Sequence, residues 1–344
     1  MRRYLQLLAL ITLWSVISAH VYNCEPGTEP TVCRIWNMHY DEDIAAKHPA
    51  SIPSVNFTST VHTVQLLFER YYYNQHNQLM RYDSTLHGTV LRNPVVVQIQ
   101  KTRLRYLFVP TNLLEGDFTD NVISVIVTDK ALTYDVRYLD LADNSIREVS
   151  NLTALKQLQT LNLESNRIDK IDPDTFKSMA NLTNLYLGNN HIAKFDFSIL
   201  PKNLKVLWLA RNDQRTINLE NVVLSQLREL DLETNSISSL DLVALFKAFP
   251  AIQAIPIAYN AFEKNEAKRI TTELKRRNVS YYIGMERDGY VDCDYDGYRF
   301  EDLCLNESVN DWSLGKGAVL LSIAILVLGV FVLSIRWIWY QMRY

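Results

Sequence analysis

Leu158-Gln159-Thr160-Leu161-Asn162-Leu163-Glu164-Ser165-Asn166-Arg167-Ile168 decides the fold, because the same phrase is written six times in the chain. Its form is apolar-x-x-apolar-x-apolar-x-x-Asn-x-apolar. The copies begin at Val136, Leu158, Leu182, Leu204, Leu227 and Ile252, each 22 to 25 residues after the last, and carry Asn144, Asn166, Asn190, Asn212, Asn235 and Asn260 at the same offset. Alternation at the fourth and sixth positions describes a short strand with one buried face, so the residues between point to solvent. A sharp turn follows, and an asparagine amide there can satisfy main-chain groups that would otherwise be buried without partners.

One such coil cannot bury its leucines alone. Coils therefore stack, with parallel strands about 4.8 Å apart, into a curved solenoid. Amphipathic helices also place leucines three and four residues apart, but nothing in a helix demands an asparagine at one fixed offset in every copy.

Outside the phrase the sequence suggests where the solenoid resides. Met1 to Ala19 has the layout of a secretory signal: Arg2 and Arg3, an apolar run from Leu5 to Ile17, then Ser18 and Ala19. Gly317 to Ile335 carries no charge and is long enough to cross a bilayer as a helix. Arg336, Trp337, Trp339, Tyr340 and Arg343 follow, as at a membrane interface. A lipid-anchor signal also ends in an apolar tail, but such signals usually lack terminal arginines. The expectation is a single-pass type I protein of the plasma membrane with its repeats extracellular. Its segments are a signal over 1–19, an N-terminal cap with irregular repeats over 20–94, repeats over 95–262, a C-terminal cap over 263–312, a membrane helix over 313–336 and a tail over 337–344.

Four cysteines allow three pairings. A solenoid holds its ends far apart, so local pairing of Cys24 with Cys33 and of Cys293 with Cys304 is expected, each bridge closing an end coil that would otherwise expose its leucines. Sequons at Asn56, Asn151, Asn181, Asn278 and Asn306 are candidate glycan sites in a secreted chain.

Between the caps the phrase is uneven. Val61, Val64 and Leu66 form a divergent coil, Arg70 to Tyr82 matches no template, and Val97, Ile99 and Leu104 recover the pattern. Val122 to Val127 is another apolar strand, with Lys130 where the asparagine belongs, which suggests a short irregular coil. After Phe262 a helix is expected to Arg277, burying Ile270 and Leu274, followed by a closing strand at Val279, Tyr281 and Ile283.

The phrase resembles that of extracellular leucine-rich-repeat proteins, whose horseshoe is an α/β solenoid with a parallel β-sheet on its concave face. A narrower resemblance, to the mosquito-type leucine-rich-repeat immune proteins of insects, rests on two stretches. One is Tyr22-Asn23-Cys24 with Cys33-Arg34-Ile35-Trp36-Asn37; the other runs from Phe249-Pro250-Ala251-Ile252 through Asn260-Ala261-Phe262 to Arg277-Asn278-Val279-Ser280. The resemblance implies recognition of pathogen or host proteins in innate defence. Soluble members of that family add a coiled coil and a pairing cysteine, which this sequence lacks, so a membrane-bound branch is implied. Asn260-Ala261-Phe262-Glu263 also lacks the cysteine that such caps often place after the last repeat.

If the outward residues are the working surface, Tyr138, Asp140, Tyr186, Trp208, Arg211 and Asp231 are the candidate ligand-binding residues, since Trp, Tyr and Arg dominate interface hot spots. Asp292 to Gly297 matches half of a calcium loop, but Leu303 stands where its twelfth-position Glu belongs, so no metal is expected. No catalytic motif and no phosphate loop is present, the net charge of -3 gives no reason to expect nucleic acid, and no cofactor is expected. The functional expectation is a cell-surface receptor or co-receptor subunit that binds an extracellular protein ligand, with a membrane co-receptor as partner. Adhesion or developmental patterning is the alternative.

Overall fold

The computed structural model describes residues 20–27, 29–57, 60–68, 79–281, 293, 297–301 and 303–306. The expected signal, the membrane helix, the tail, Tyr71 to Tyr73, Ile283 and most of the Asp292 to Gly297 loop lie outside these residues. Among the described residues, no helix is long and apolar enough to cross a membrane.

Among the described residues the architecture is a solenoid whose inner wall is one sheet of ten strands. From Val32–Trp36 the strands run parallel in chain order through Thr63–Leu67, Val96–Ile99, Glu115–Asp117, Tyr138–Asp140 and Thr160–Asn162 to Asn184–Tyr186, Val206–Trp208 and Glu229–Asp231. Glu25–Pro26 adds an antiparallel edge against Val32–Trp36. Single parallel bridges from Glu229 to Ala254 and from Ala254 to Ser280 carry the ladder past its last full strand. Register is strict: Leu139, Leu161, Leu185, Leu207 and Leu230 face one another in turn and are fully buried. That strictness follows from the period of two, since slipping one residue would turn every leucine out to water.

Each coil turns on the residue before its asparagine. Asp120, Asp143, Ser165, Asn189, Arg211, Thr234 and Tyr259 all have φ between 52° and 56°. None is glycine, so each turn carries left-handed strain of about 1–2 kcal/mol. The asparagines offset it. Asn166 Nδ2 donates to the main-chain oxygens of Leu163 and Glu164 in its own coil and of Leu141 in the coil before, while its Oδ1 accepts from Ile146 N. Asn144, Asn190, Asn212, Asn235 and Asn260 repeat this pattern.

The structure corrects one expectation. Val125–Val127 is not an inner-wall strand: it pairs with Tyr106–Phe108, and that with Arg81–Tyr82, in a second parallel sheet of three strands. The coil preceding Val136 is instead Leu113-x-x-Gly116-x-Phe118-x-x-Asn121-x-Ile123, so the asparagine belongs at 121 and Lys130 has no such role. Asn121 Nδ2 donates to Ile99, Phe118 and Thr119 oxygens as the other asparagines do.

Both ends are closed as the spacing suggests. Cys24 is bonded to Cys33, whose side chain occupies the buried face of the first full parallel strand. Cys293 is bonded to Cys304 in the antiparallel hairpin of Gly297–Phe300 and Leu303–Asn306. Leu303, Cys304 and Leu305 lie against the last coil, where Tyr259 N donates to Cys304 O at 2.8 Å. Between them the helix Lys264–Arg276 buries Ala267, Ile270 and Leu274.

Candidate functional site

Parallel register lays the outward residues in columns along the inner wall. Arg34, Gln65, Gln98, Asp117, Asp140, Asn162, Tyr186, Trp208 and Asp231 stand in one continuous row. Tyr138, Thr160, Asn184, Val206 and Glu229 form the row beside it. At the N-terminal end the row is a polar chain in which Arg34 Nε donates to Gln65 Oε1 at 3.2 Å and Gln65 Nε2 to Gln98 Oε1 at 2.7 Å. The sequence reading missed this extension, although Val32, Arg34 and Trp36 already alternate with Cys33 and Ile35.

The expected site residues fall into two adjoining groups. In the first, Asp140 Oδ2 accepts from the Tyr138 hydroxyl at 3.0 Å and from Asn162 Nδ2 at 3.3 Å. Burial, and then the Asp140 charge, push the Tyr138 phenol up to about 12. In the second, Tyr186 and Trp208 meet edge to face with ring centroids 4.7 Å apart. Neither ring stands free in water: both are half-buried, and Trp208 Nε1 donates to Glu229 Oε1 at 2.7 Å.

Carboxylates surround the aromatic pair. Asp231, opposite Trp208 in register, is almost wholly buried and its Oδ1 accepts from Glu233 N at 2.9 Å. Desolvation raises its pKa to about 6 despite that hydrogen bond, and raises Glu233 to about 7, with the Asp231 charge adding to burial and Arg211 opposing. Glu164 is raised by burial and by Asp140 and Asp143. Glu164 lies over Gly188, where an added Cβ would come within 2.7 Å of its Oε1 and displace the carboxylate. Arg211 is exposed at the left-handed turn beside this group, and its main-chain N–H donates to Glu233 O.

This wall is an extended surface of fixed dipoles, partly desolvated carboxylates and two locked aromatic rings. Among the described residues, no group of three His, Cys, Asp or Glu could hold a metal ion. Of the sequons, Asn56, Asn151, Asn181 and Asn278 are exposed, whereas Asn306 is half-buried and donates to Tyr259 O at 2.7 Å.

A family model described as leucine rich repeat matches residues 134–192 and 156–213. Among curated proteins, the chain is 30% identical over 154 residues to Tsukushi of Gallus gallus, covering 43% of this chain and 41% of that protein. It is 27% identical over 193 residues to oligodendrocyte-myelin glycoprotein of Homo sapiens, covering 49% and 41%. It is 26% identical over 194 residues to Toll-like receptor 1 of Homo sapiens, covering 53% and 24%. The chain thus spans less than half the length of these relatives. A crystal structure of the LRIM1/APL1C complex shares the fold, with a TM-score of 0.50 and 17% identity over 94% of this chain and 78% of that one.

Proposed function

From the premise that the chain carries a leucine-rich-repeat domain, we propose that its inner wall binds a protein ligand outside the cell, and that it acts as a membrane-tethered receptor or co-receptor subunit in innate defence. The observation that carries this reading is the Tyr186–Trp208 pair, held edge to face between Asn162 and Asp231 toward the C-terminal end of a polar wall. Locked aromatic rings supply contact area with little entropy left to lose on binding, which is what hot spots share. Two disulfides favour an oxidising compartment, in keeping with an extracellular site. The sequence relationship to Toll-like receptor 1 is consistent with a recognition role.

Proximity labelling from the intact protein on living cells, before and after microbial challenge, tests the proposal. A protein labelled by the wild type, lost with the Tyr186→Ala, Trp208→Ala double variant and increased by challenge supports it. Labelling that the double variant leaves unchanged overturns the binding surface. Labelling indifferent to challenge and confined to neighbouring cells or matrix overturns the defensive role in favour of adhesion.

A further inference from the structure

At the N-terminal edge of the solenoid, away from the Tyr186–Trp208 wall, lies an open groove of about 670 Å³. Tyr22, Trp36 and Tyr40 line it with Glu25, Asp41, His20 and His39, and among the described residues no lysine or arginine lines it. Three of the described large apolar side chains that remain exposed gather here, Val21 at 52%, Trp36 at 42% and Ile44 at 42%. Scattered surface apolar residues need no explanation, but three converging on one concavity form a patch.

The groove is built rather than loose. Trp36 Nε1 donates to Glu25 Oε2 at 2.9 Å, joining indole and carboxylate across the edge strand and its neighbour. The Tyr22 hydroxyl accepts from His39 N at 2.7 Å, and the Tyr40 hydroxyl donates to Asp83 Oδ2 at 2.7 Å, which fixes both rings. Asp41 caps the helix Glu42–Lys47 by accepting from Ile44 N at 3.1 Å. Aromatic faces beside carboxylates, with no lysine or arginine in the lining to compete, complement a guanidinium or ammonium group. A small free cation would leave Val21 and Ile44 uncovered. A segment carrying basic and apolar side chains together would cover them.

We propose that this groove is a second protein-docking site, and that its occupant is a partner segment alternating arginine with large apolar residues. Arginine is favoured over lysine because its planar guanidinium stacks on indole and phenol while still reaching the carboxylates.

The test is titration of the full chain, by calorimetry, with an acetylated and amidated Leu-Arg-Leu-Arg-Leu peptide and with its Leu-Glu-Leu-Glu-Leu counterpart. The arginine peptide should bind at least about tenfold more tightly, the scale of one charge-assisted hydrogen bond. Glu25→Gln and Trp36→Leu should each weaken it by about tenfold. Glu25 is exposed, so its variant should melt as the wild type does. The Tyr186→Ala, Trp208→Ala double variant should bind the peptide unchanged, which separates this site from the inner wall. Equal affinity for both peptides, no measurable binding of either, or insensitivity to both groove variants overturns the proposal.

Discussion

The side-chain amide of Asn190 donates to the main-chain oxygen of Leu163, one full coil earlier, at 2.9 Å. The same amide reaches Leu187 and Gly188 oxygens in its own coil, and its Oδ1 accepts from Ile168 N. One side chain therefore satisfies four buried main-chain groups across two coils.

Asn190→Ala orphans Ile168 N, while the Leu163, Leu187 and Gly188 oxygens each lose one bond but keep those from Asn166 Nδ2, Asn212 Nδ2 and Ser165 N; a buried group left without a partner costs about 1–3 kcal/mol before any water enters. We expect a loss of about 2 kcal/mol in unfolding free energy, with most of the fold retained because neighbouring coils keep their own asparagines. Asn190→Asp should be at least as damaging, since it keeps the acceptor but removes both donors and buries a charge beside carbonyls. Chemical denaturation of the two variants checks this, and a change below about 0.5 kcal/mol in either would show that the ladder is ornamental.

His87 makes a pH-dependent prediction. It is buried, its Nδ1 lies 2.7 Å from the Tyr82 hydroxyl and its Nε2 2.9 Å from Asn112 Oδ1. Desolvation lowers its pKa, with the Asn112 bond opposing. The unfolded chain therefore takes up a proton at higher pH than the folded chain, so stability is fully present above the unfolded histidine pKa of about 6.5 and is lost as pH falls. Thermal melts from pH 7.5 to pH 5 should show this slope, flattened by His87→Gln. An unflattened slope would assign it to other groups.

Asp231 and Glu233 pull the other way. Their folded pKa values are raised to about 6 and about 7, so the folded chain holds protons that the unfolded chain has released. Their contribution is fully present below about pH 4, near the unfolded carboxylate values, and is lost as pH rises through 6 and 7. Asp231→Asn should raise stability at pH 8 by about 1–2 kcal/mol, the two pKa units of its shift setting an upper bound. At pH 4 the same variant should be neutral. A benefit equal at both pH values would mean that a lost contact, not a relieved charge, explains it.

How much of this was legible in the sequence depended on whether a position's chemistry is forced locally. The asparagine at each turn is forced, because only a short amide can donate and accept there at once, and six copies could be read directly. Thr102 and Asn121 escaped notice because two residues share what one asparagine does elsewhere. Asn121 Oδ1 accepts from Thr102 N and Oγ1 and from Leu104 N, so the earlier coil needs no asparagine of its own. On the inner wall, alternation gave the columns, while the Trp208–Glu229 hydrogen bond and the Arg34–Gln65–Gln98 chain depend on strand register, which no single strand encodes. The second sheet was hidden for a related reason: Val125–Val127 carries the same apolar signal as an inner-wall strand and differs only in what it pairs with.

Gly116 is where the phrase is broken and where its logic is best tested. It occupies the position that holds Leu139 in the next coil, and a Cβ there would lie 2.6 Å from Phe118 Cε2, 3.1 Å from Leu139 Cδ1 and 3.2 Å from Leu113 Cδ2. The fully buried Phe118 ring thus fills the space that a leucine would take. Gly116→Leu alone should then cost about 1–3 kcal/mol as overpacking, although leucine is the residue that the other coils place here. Phe118→Leu alone should cost a comparable amount, for the space it leaves. Combined, Gly116→Leu with Phe118→Leu restores the phrase of the other coils and should be more stable than the sum of the single changes by at least about 1 kcal/mol. Denaturation of the single and double variants measures that coupling. Simple additivity would mean that the glycine answers to something other than the neighbouring ring.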